Sequence, residues 1–422
     1  MDLHGWDTSY ATSATAINDA LAVTDEVLDN IEFTRDGVAL HCRLGSWRII
    51  SGGAGELLHL EIPILSGCVG MAGNPGTDLA GIAVQLEINL RFLPSDVSNH
   101  QQLNFNFQSV GVFGTPSAPG AVTPLRVIDP DQRLAFQEGA VLCPAIAQCL
   151  VERADAISFK FAEINLVAPD TANSWLTPVE CAYAFYLTGD GDAYLVVLSS
   201  TSKRDVSGLS RKIDPALFAG SGEGYFAISK QMFLTHALLP LLPQVYPGND
   251  ASHFVYNAKH GVIKNSKPVS LAGVKSGLIW YYPKITSLTI EIRGANVITK
   301  VTGVCDMYLG FNCTFAVSAT SHASFDSQQG SLVFSKDPNP TSSHQAKIPW
   351  YAWLGGAITS AVIAIVVPAI AGGIATGLGA GLKTLGLSST GPLNVKWPGM
   401  QTFTATAGHL ADAFQLAGTT RN

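Results

Sequence analysis

Residues 348–382 read IPWYAWLGGAITSAVIAIVVPAIAGGIATGLGAGL, with no Asp, Glu, Lys, Arg or His, and Lys347 and Lys383 close the run. Some 20 apolar residues suffice to cross a bilayer as a helix, so three readings compete. The run spans a membrane, is wrapped by the rest of the chain, or inserts on a trigger. Pro368 sits in its middle, where a proline removes a backbone hydrogen bond and kinks a helix. Trp350, Tyr351 and Trp353 would suit an interfacial anchor. Gly373, Gly377 and Gly381 make a small-xxx-small series that lets backbones approach closely, in membranes or against a packed neighbour. The two halves around Pro368 are each too short to span alone, which argues against a pore hairpin.

The remainder of the chain decides between these readings. Leu58, Leu60, Ile62 and Ile64 alternate with His59 and Glu61. From 82 to 92, Ile82, Val84, Leu86, Ile88, Leu90 and Phe92 oppose Gln85, Glu87, Asn89 and Arg91. Leu103, Phe105 and Phe107 repeat the pattern against Asn104, Asn106 and Gln108. Period-two alternation of this kind marks antiparallel strands with one solvated face. A helix over 354–382 would be about 43 Å long at ~1.5 Å per residue, close to the ~33 Å of a ten-residue strand. The wrapped reading is therefore preferred. It predicts a groove with apolar ligand or membrane contacts at Trp350, Trp353, Ile358, Val362, Ile365, Val366, Ile370 and Ile374.

Further elements follow from local pattern. Ile17, Leu21, Val27, Leu28 and Ile31 predict a helix over 12–31, with Thr12, Ser13 or Thr15 as its cap. A second helix is expected at 138–153 and a strand at 157–167. Residues 178–201 read as a hairpin turning at Asp190-Gly191. The stretch 202–222, rich in Gly and Ser, is the best candidate for an internal boundary. A short strand and an apolar helix follow, broken by Pro240 and Pro243, and 278–318 returns to strands. Residues 318–345 predict a loop or weak hairpin, and 405–416 a last helix.

Composition narrows the function classes. With 47% hydrophobic and 14% charged residues the chain is unusually poor in charge, which implies large buried faces or surfaces that meet something apolar. A net charge of −7 argues against nucleic acid, whose phosphates require Lys and Arg. The opening MDLHGWDTSY has neither the basic nor the apolar region of a secretory signal. Seven cysteines without a CxxC pair suit reduced thiols. Cytoplasmic synthesis is thus expected, with any release by a non-classical route.

No catalytic constellation emerges from the residues. G-x-S-x-G, H-E-x-x-H and the P-loop are absent, and Leu382 stands where a P-loop needs glycine before Lys383. Asp190-Gly191-Asp192 lacks the later ligands of a calcium loop and reads as a turn. His253 and His260 do not share a helical face and have no neighbouring cysteine. The expectation is a non-enzymatic protein without cofactor or metal.

Several segments, in order along the chain, resemble the clostridial forty-seven-kilodalton botulinum toxin-cluster family. They are Gly5–Ala11 (GWDTSYA), Cys149–Ala162 (CLVERADAISFKFA), Trp175–Pro178 leading into Ala182–Phe185, and Phe226–Phe233 (FAISKQMF) before Leu239-Pro240. The resemblance implies a tubular lipid-binding (TULIP) fold of α+β class, a long antiparallel sheet curled around a long apolar helix, as one elongated unit over 1–422. It further implies binding of lipid or another apolar ligand, toxin-complex proteins as partners and contact with a membrane surface. No catalytic residue carries over. The alternative is a membrane-inserting or pore-forming toxin component.

Overall fold

A computed structural model describes residues 1–71, 76–168, 174–276, 278–307, 311–328, 331–347, 364–368, 370, 373, 394–400 and 402–420. The protein is β-rich, with few helices. Period-two patterning in the sequence becomes buried and exposed faces in the sheets. Leu58, Leu60, Ile62 and Ile64 of strand Leu57–Met71 are at most 1% exposed. Val84, Leu86 and Ile88 of Ala83–Ile88 are wholly buried beside them.

These two strands anchor an eight-stranded sheet. Its order is Ser109–Val110, Ala121–Ile128, Ala83–Ile88, Leu57–Met71, Val38–Leu44, Asn30–Arg35, with Arg48–Ala54 and Thr77–Asp78 also paired to Leu57–Met71. A polar row crosses four strands on its outer side. Arg48 Nε donates to Glu61 Oε1 at 2.7 Å, Gln85 Nε2 to Glu61 Oε2 at 2.7 Å, and Arg126 Nε to Gln85 Oε1 at 2.6 Å. Opposite charges across paired strands stabilise a sheet by roughly 0.2–1 kcal/mol per pair. The helix Phe136–Glu152 covers the other face with Leu142, Ile146 and Leu150, all wholly buried. Its first turn is tied by Glu138, which accepts from the Ala135 amide at 2.9 Å and from Thr77 Oγ1 at 2.9 Å.

A six-stranded sheet, antiparallel throughout, runs Glu180–Leu187, Ala193–Ser200, Thr8–Ser13, Gly224–Ile228, Ala413–Thr419, Thr404–Ala411. A four-stranded sheet holds Val395–Lys396, Lys160–Asn165, His100–Phe105 and Leu90–Pro94. The second eight-stranded sheet runs Phe254–Asn257, Val262–Asn265, Lys284–Arg293, Asn296–Met307, Phe311–Asp326, Ser331–Ser335, with Val269–Ser270 and Thr341–Lys347 as side partners. A two-stranded sheet pairs Val274–Ser276 with Ile279–Tyr281, and one contiguous apolar core joins residues from all five sheets, from Tyr10 to Leu416.

Several expectations are corrected. The first helix is Ala14–Val23, capped by Ser13 accepting from the Ala16 amide, and Ile31 belongs to strand Asn30–Arg35. Residues 82–92 are two strands in two sheets, parted at Asn89. Asn89 Oδ1 accepts from the Gly120 amide at 2.8 Å, and its carbonyl accepts from the Asn106 amide. Of the loop or weak hairpin expected at 318–345, the loop is corrected: the end of Phe311–Asp326 makes a hairpin with Ser331–Ser335, and Thr341–Lys347 also pairs with it. The expected last helix is a pair of strands turning at Asp412, whose φ of 64° suits a residue with a short polar side chain.

Residues 202–222 lie across the outer face of the six-stranded sheet. Trp6 Nε1 donates to the Ser210 carbonyl at 2.9 Å, Arg204 pairs with Asp7 at 3.0 Å, and Phe218 stacks on Tyr194 at 4.2 Å. Of the helix expected over 354–382, residues 364–368, 370 and 373 are described, and all are helical. Among the described residues no helix is long and apolar enough to cross a membrane.

Candidate apolar site

The apolar run meets the rest of the chain where the broken helix after Gly224–Ile228 ends. Ser229 caps that element, which runs through a π-helical segment, Phe233–Leu238, and closes with Leu242–Val245. Prolines at 240 and 243 remove donors that a regular helix would need, so the chain changes helical form instead of extending one helix. Just beyond it lies a cavity of about 230 Å³. Its walls are Val245, Tyr246 and Pro247, the connecting residues 270–274, and Ile365 with Val366. Gly373 comes against Val245, and a Cβ there would lie 3.0 Å from Val245 Cγ1. The small residue thus permits the close packing that a glycine series allows.

Of the eight predicted contact residues, Ile365 and Val366 line this cavity. Ile365 is 49% exposed, while Val366 and Ile370 are buried in the core. Trp350, Trp353, Ile358, Val362 and Ile374 lie outside the described residues. The facing wall escaped the sequence reading, although the apolar stretch with two prolines before Val245 was a visible signal. Residues 270–274 carry no such signal.

Tyr246, whose ring helps to form these walls, carries a buried hydroxyl. Tyr246 is 3% exposed and stacks on Phe254, with ring centroids 5.9 Å apart. Its hydroxyl has no hydrogen-bond partner among the described residues, and burial pushes its pKa upward, so it stays a neutral donor. An unpaired buried hydroxyl costs about 1–3 kcal/mol. Two larger hollows mix polar and apolar side chains. One lies on the Ser- and Thr-bearing face around Lys300, the other among Asp7, Arg204, Asp214 and Lys230.

Among the described residues no group of three or more His, Cys, Asp and Glu is placed to hold a metal ion. Asp190-Gly191 forms the hairpin turn, with Gly191 at φ 94° and its amide donating to the Thr188 carbonyl. His253 caps a turn through Asp250 at 3.0 Å. His236 stacks on Trp175, centroids 5.0 Å apart, and burial lowers its pKa.

The cysteines are free, and only Cys68 is exposed. Burial pushes the thiols of Cys42, Cys143 and Cys181 up to about 12 and those of Cys149 and Cys305 to about 11. The thiolate is the reactive form, so a disulfide reagent at mildly alkaline pH should find one fast thiol in the folded protein. All seven should react after unfolding. A second thiol reacting as fast as the first would contradict this burial.

These features define a β-rich protein of mainly antiparallel sheets with a small apolar cavity beside a largely uncharged run. The family model described as OrfX-like, Protein OrfX2/OrfX3/P47, matches residues 3–391, and the chain belongs to that family. The resemblance carried by GWDTSYA and the later segments is thereby borne out. Protein P47 of Clostridium botulinum (strain Kyoto / Type A2) is 26% identical over 394 residues, 87% of either chain. Protein OrfX3 of Paraclostridium bifermentans is 24% identical over 345 residues, covering 72% of this chain and 68% of that one. The solved structure of P47 from C. botulinum A2 superposes with a TM-score of 0.81 at 23% identity, over 99% of this chain and 98% of the other. That of P47 from C. botulinum E1 gives 0.75 at 20% identity, over 99% and 100%. At these identities the two structures establish a shared fold.

Proposed function

We propose that this protein is a non-enzymatic binder of an apolar ligand, TULIP-like in arrangement, that serves as an accessory to a toxin or secreted complex. The carrying observation is the apolar cavity between Val245–Pro247, 270–274 and Ile365–Val366. Apolar walls with a few placed polar groups are the usual composition of a small-molecule site. At about 230 Å³ the space lies below the ~300–1,000 Å³ of drug-sized pockets. It suits a stretch of acyl chain and excludes a whole two-chain lipid. The accessory role is drawn from membership of the OrfX-like family and the resemblance to Protein P47 of Clostridium botulinum.

The test is native mass spectrometry of the purified protein, followed by solvent extraction. An added mass that extraction converts to free fatty acid or similar lipid is expected. Ile365→Trp fills the cavity from a half-exposed position and should cut uptake of a fluorescent fatty acid about tenfold, as expected for losing a well-buried apolar contact. A bare chain that takes up no fatty acid would sink the reading.

A further inference from the structure

We propose that the hairpin Val274–Ser276 and Ile279–Tyr281, with the lysines around it, is a docking face for an anionic lipid bilayer. This goes beyond the cavity reading and rests on different side chains. The first observation is exposure of large apolar groups on a small projecting element: Leu278 is 94% exposed, Trp280 54% and Tyr282 63%. Buried Val274 and Tyr281 pair across the same hairpin, so its inner face is anchored in the core while its outer face is open. A two-stranded ribbon presenting Trp, Tyr and Leu outward has the chemistry of the bilayer interface, where amphipathic rings settle at the headgroups.

The second observation is charge. Between Asp250 and Glu291 lie Lys259, Lys264, Lys267, Lys275 and Lys284 and no acidic residue, in a chain whose net charge is −7. Lys275 stands directly across from Trp280, and Lys284 follows Tyr282 by two positions and pairs with Ser270. Lys264 lies on the strand beside Lys284–Arg293, and Lys267 donates to Ser252 Oγ. Among the described residues the ion pairs made by lysine are elsewhere, Lys230 with Asp412 and Lys300 with Glu291. Positive charge without carboxylate partners beside exposed aromatic rings complements a surface of phosphates. An acidic protein would match the charge but would leave Leu278 and Trp280 without apolar contact.

The third observation joins this face to the cavity. Gly273 lines the cavity, and a Cβ on it would lie 2.9 Å from Tyr282 Cε1 and 3.1 Å from Trp280 Cε3. Both rings therefore pack close to Gly273, a residue of the cavity wall. A bilayer seated on the hairpin would lie next to the cavity.

Vesicle flotation tests the proposal, comparing phosphatidylcholine vesicles with vesicles that also contain phosphatidylserine. The protein should float with the anionic vesicles and stay behind with the neutral ones, and raised salt should release it. Lys275→Ser and Lys284→Ser should each weaken binding roughly fivefold, and Trp280→Ser roughly tenfold. Lys212→Ser, remote in the chain, should change nothing. The variants lie on exposed positions, and an unchanged thermal midpoint will show that they fold. No flotation with anionic vesicles, equal flotation with neutral ones, or equal losses from Lys212→Ser would each overturn the docking face. Binding to polyglutamate without vesicle binding would also overturn it. Vesicle binding by a protein that carries no ligand would instead remove the cavity reading and leave this one standing.

Discussion

Replacing Phe161 by alanine should lower stability by about 3–5 kcal/mol, the range for truncating a buried aromatic. Phe161 is wholly buried at the start of Lys160–Asn165. Its ring meets Phe105 edge-on at 4.8 Å and Phe159 at 5.1 Å, and Phe105 in turn stacks on Phe107 at 4.9 Å and meets Trp47 at 5.7 Å. Edge-to-face pairs contribute roughly 0.5–1.5 kcal/mol beyond the area they bury. Removing Phe161 breaks two of them and leaves a cavity that rigid sheets on either side cannot close. The pairing of Lys160–Asn165 slips by one residue between Lys160 and Ala162, so Phe161 sits at a bulge whose bend its packing fixes. Urea unfolding should show a lower midpoint with an unchanged slope. A loss below ~1 kcal/mol would mean that the cluster is not packed as described.

The second large effect is expected at Gly67, in the middle of Leu57–Met71. Its φ is 131°, a region that side chains rarely occupy. A Cβ there would overlap the His41 carbonyl oxygen and lie 2.5 Å from Cys42 Cα. The pairing with Val38–Leu44 shifts between Arg43 and Leu44, so the glycine follows directly on a bulge. Gly67→Ala incurs about 1–3 kcal/mol of backbone strain, and the neighbouring strand must also move. By contrast Gly294→Ala, in a turn with open space around it, should show only its positive-φ cost of ~1–2 kcal/mol. Thermal unfolding of the two variants side by side distinguishes them, and equal shifts would contradict the clash.

Local pattern made part of this architecture legible. Alternation in Leu58–Ile64 identified a buried strand face, Asp190-Gly191 identified its turn, and Ser13 capped a helix where such a residue was expected. The failures share one physical origin, because each depended on what lies alongside in space. Alternation continues unbroken through Asn89, yet the backbone there leaves one sheet for another, held by hydrogen bonds to Gly120 and Asn106. The Ala-rich residues 405–416 favour a helix by propensity, but they pair with each other and with Gly224–Ile228. Ser-rich 341–347 found a long strand to pair with. Of the candidate site, Ile365 and Val366 were legible from the apolar run. The opposing wall at 245–247 and 270–274 required the tertiary fold.

The six-stranded sheet places Thr8–Ser13 beside Gly224–Ile228, and that strand beside Ala413–Thr419. Its strands are thus gathered from both extremes of the sequence. At ~5–20 residues per second of synthesis, Gly224–Ile228 emerges roughly 9–37 s before Ala413–Thr419. Ile228 and its neighbours spend that interval as an unpaired edge, open to pairing with another chain. For this protein, the rate at which the ribosome delivers Ala413–Thr419 is a solubility variable, and slow codons between Ile228 and that strand should appear as aggregation.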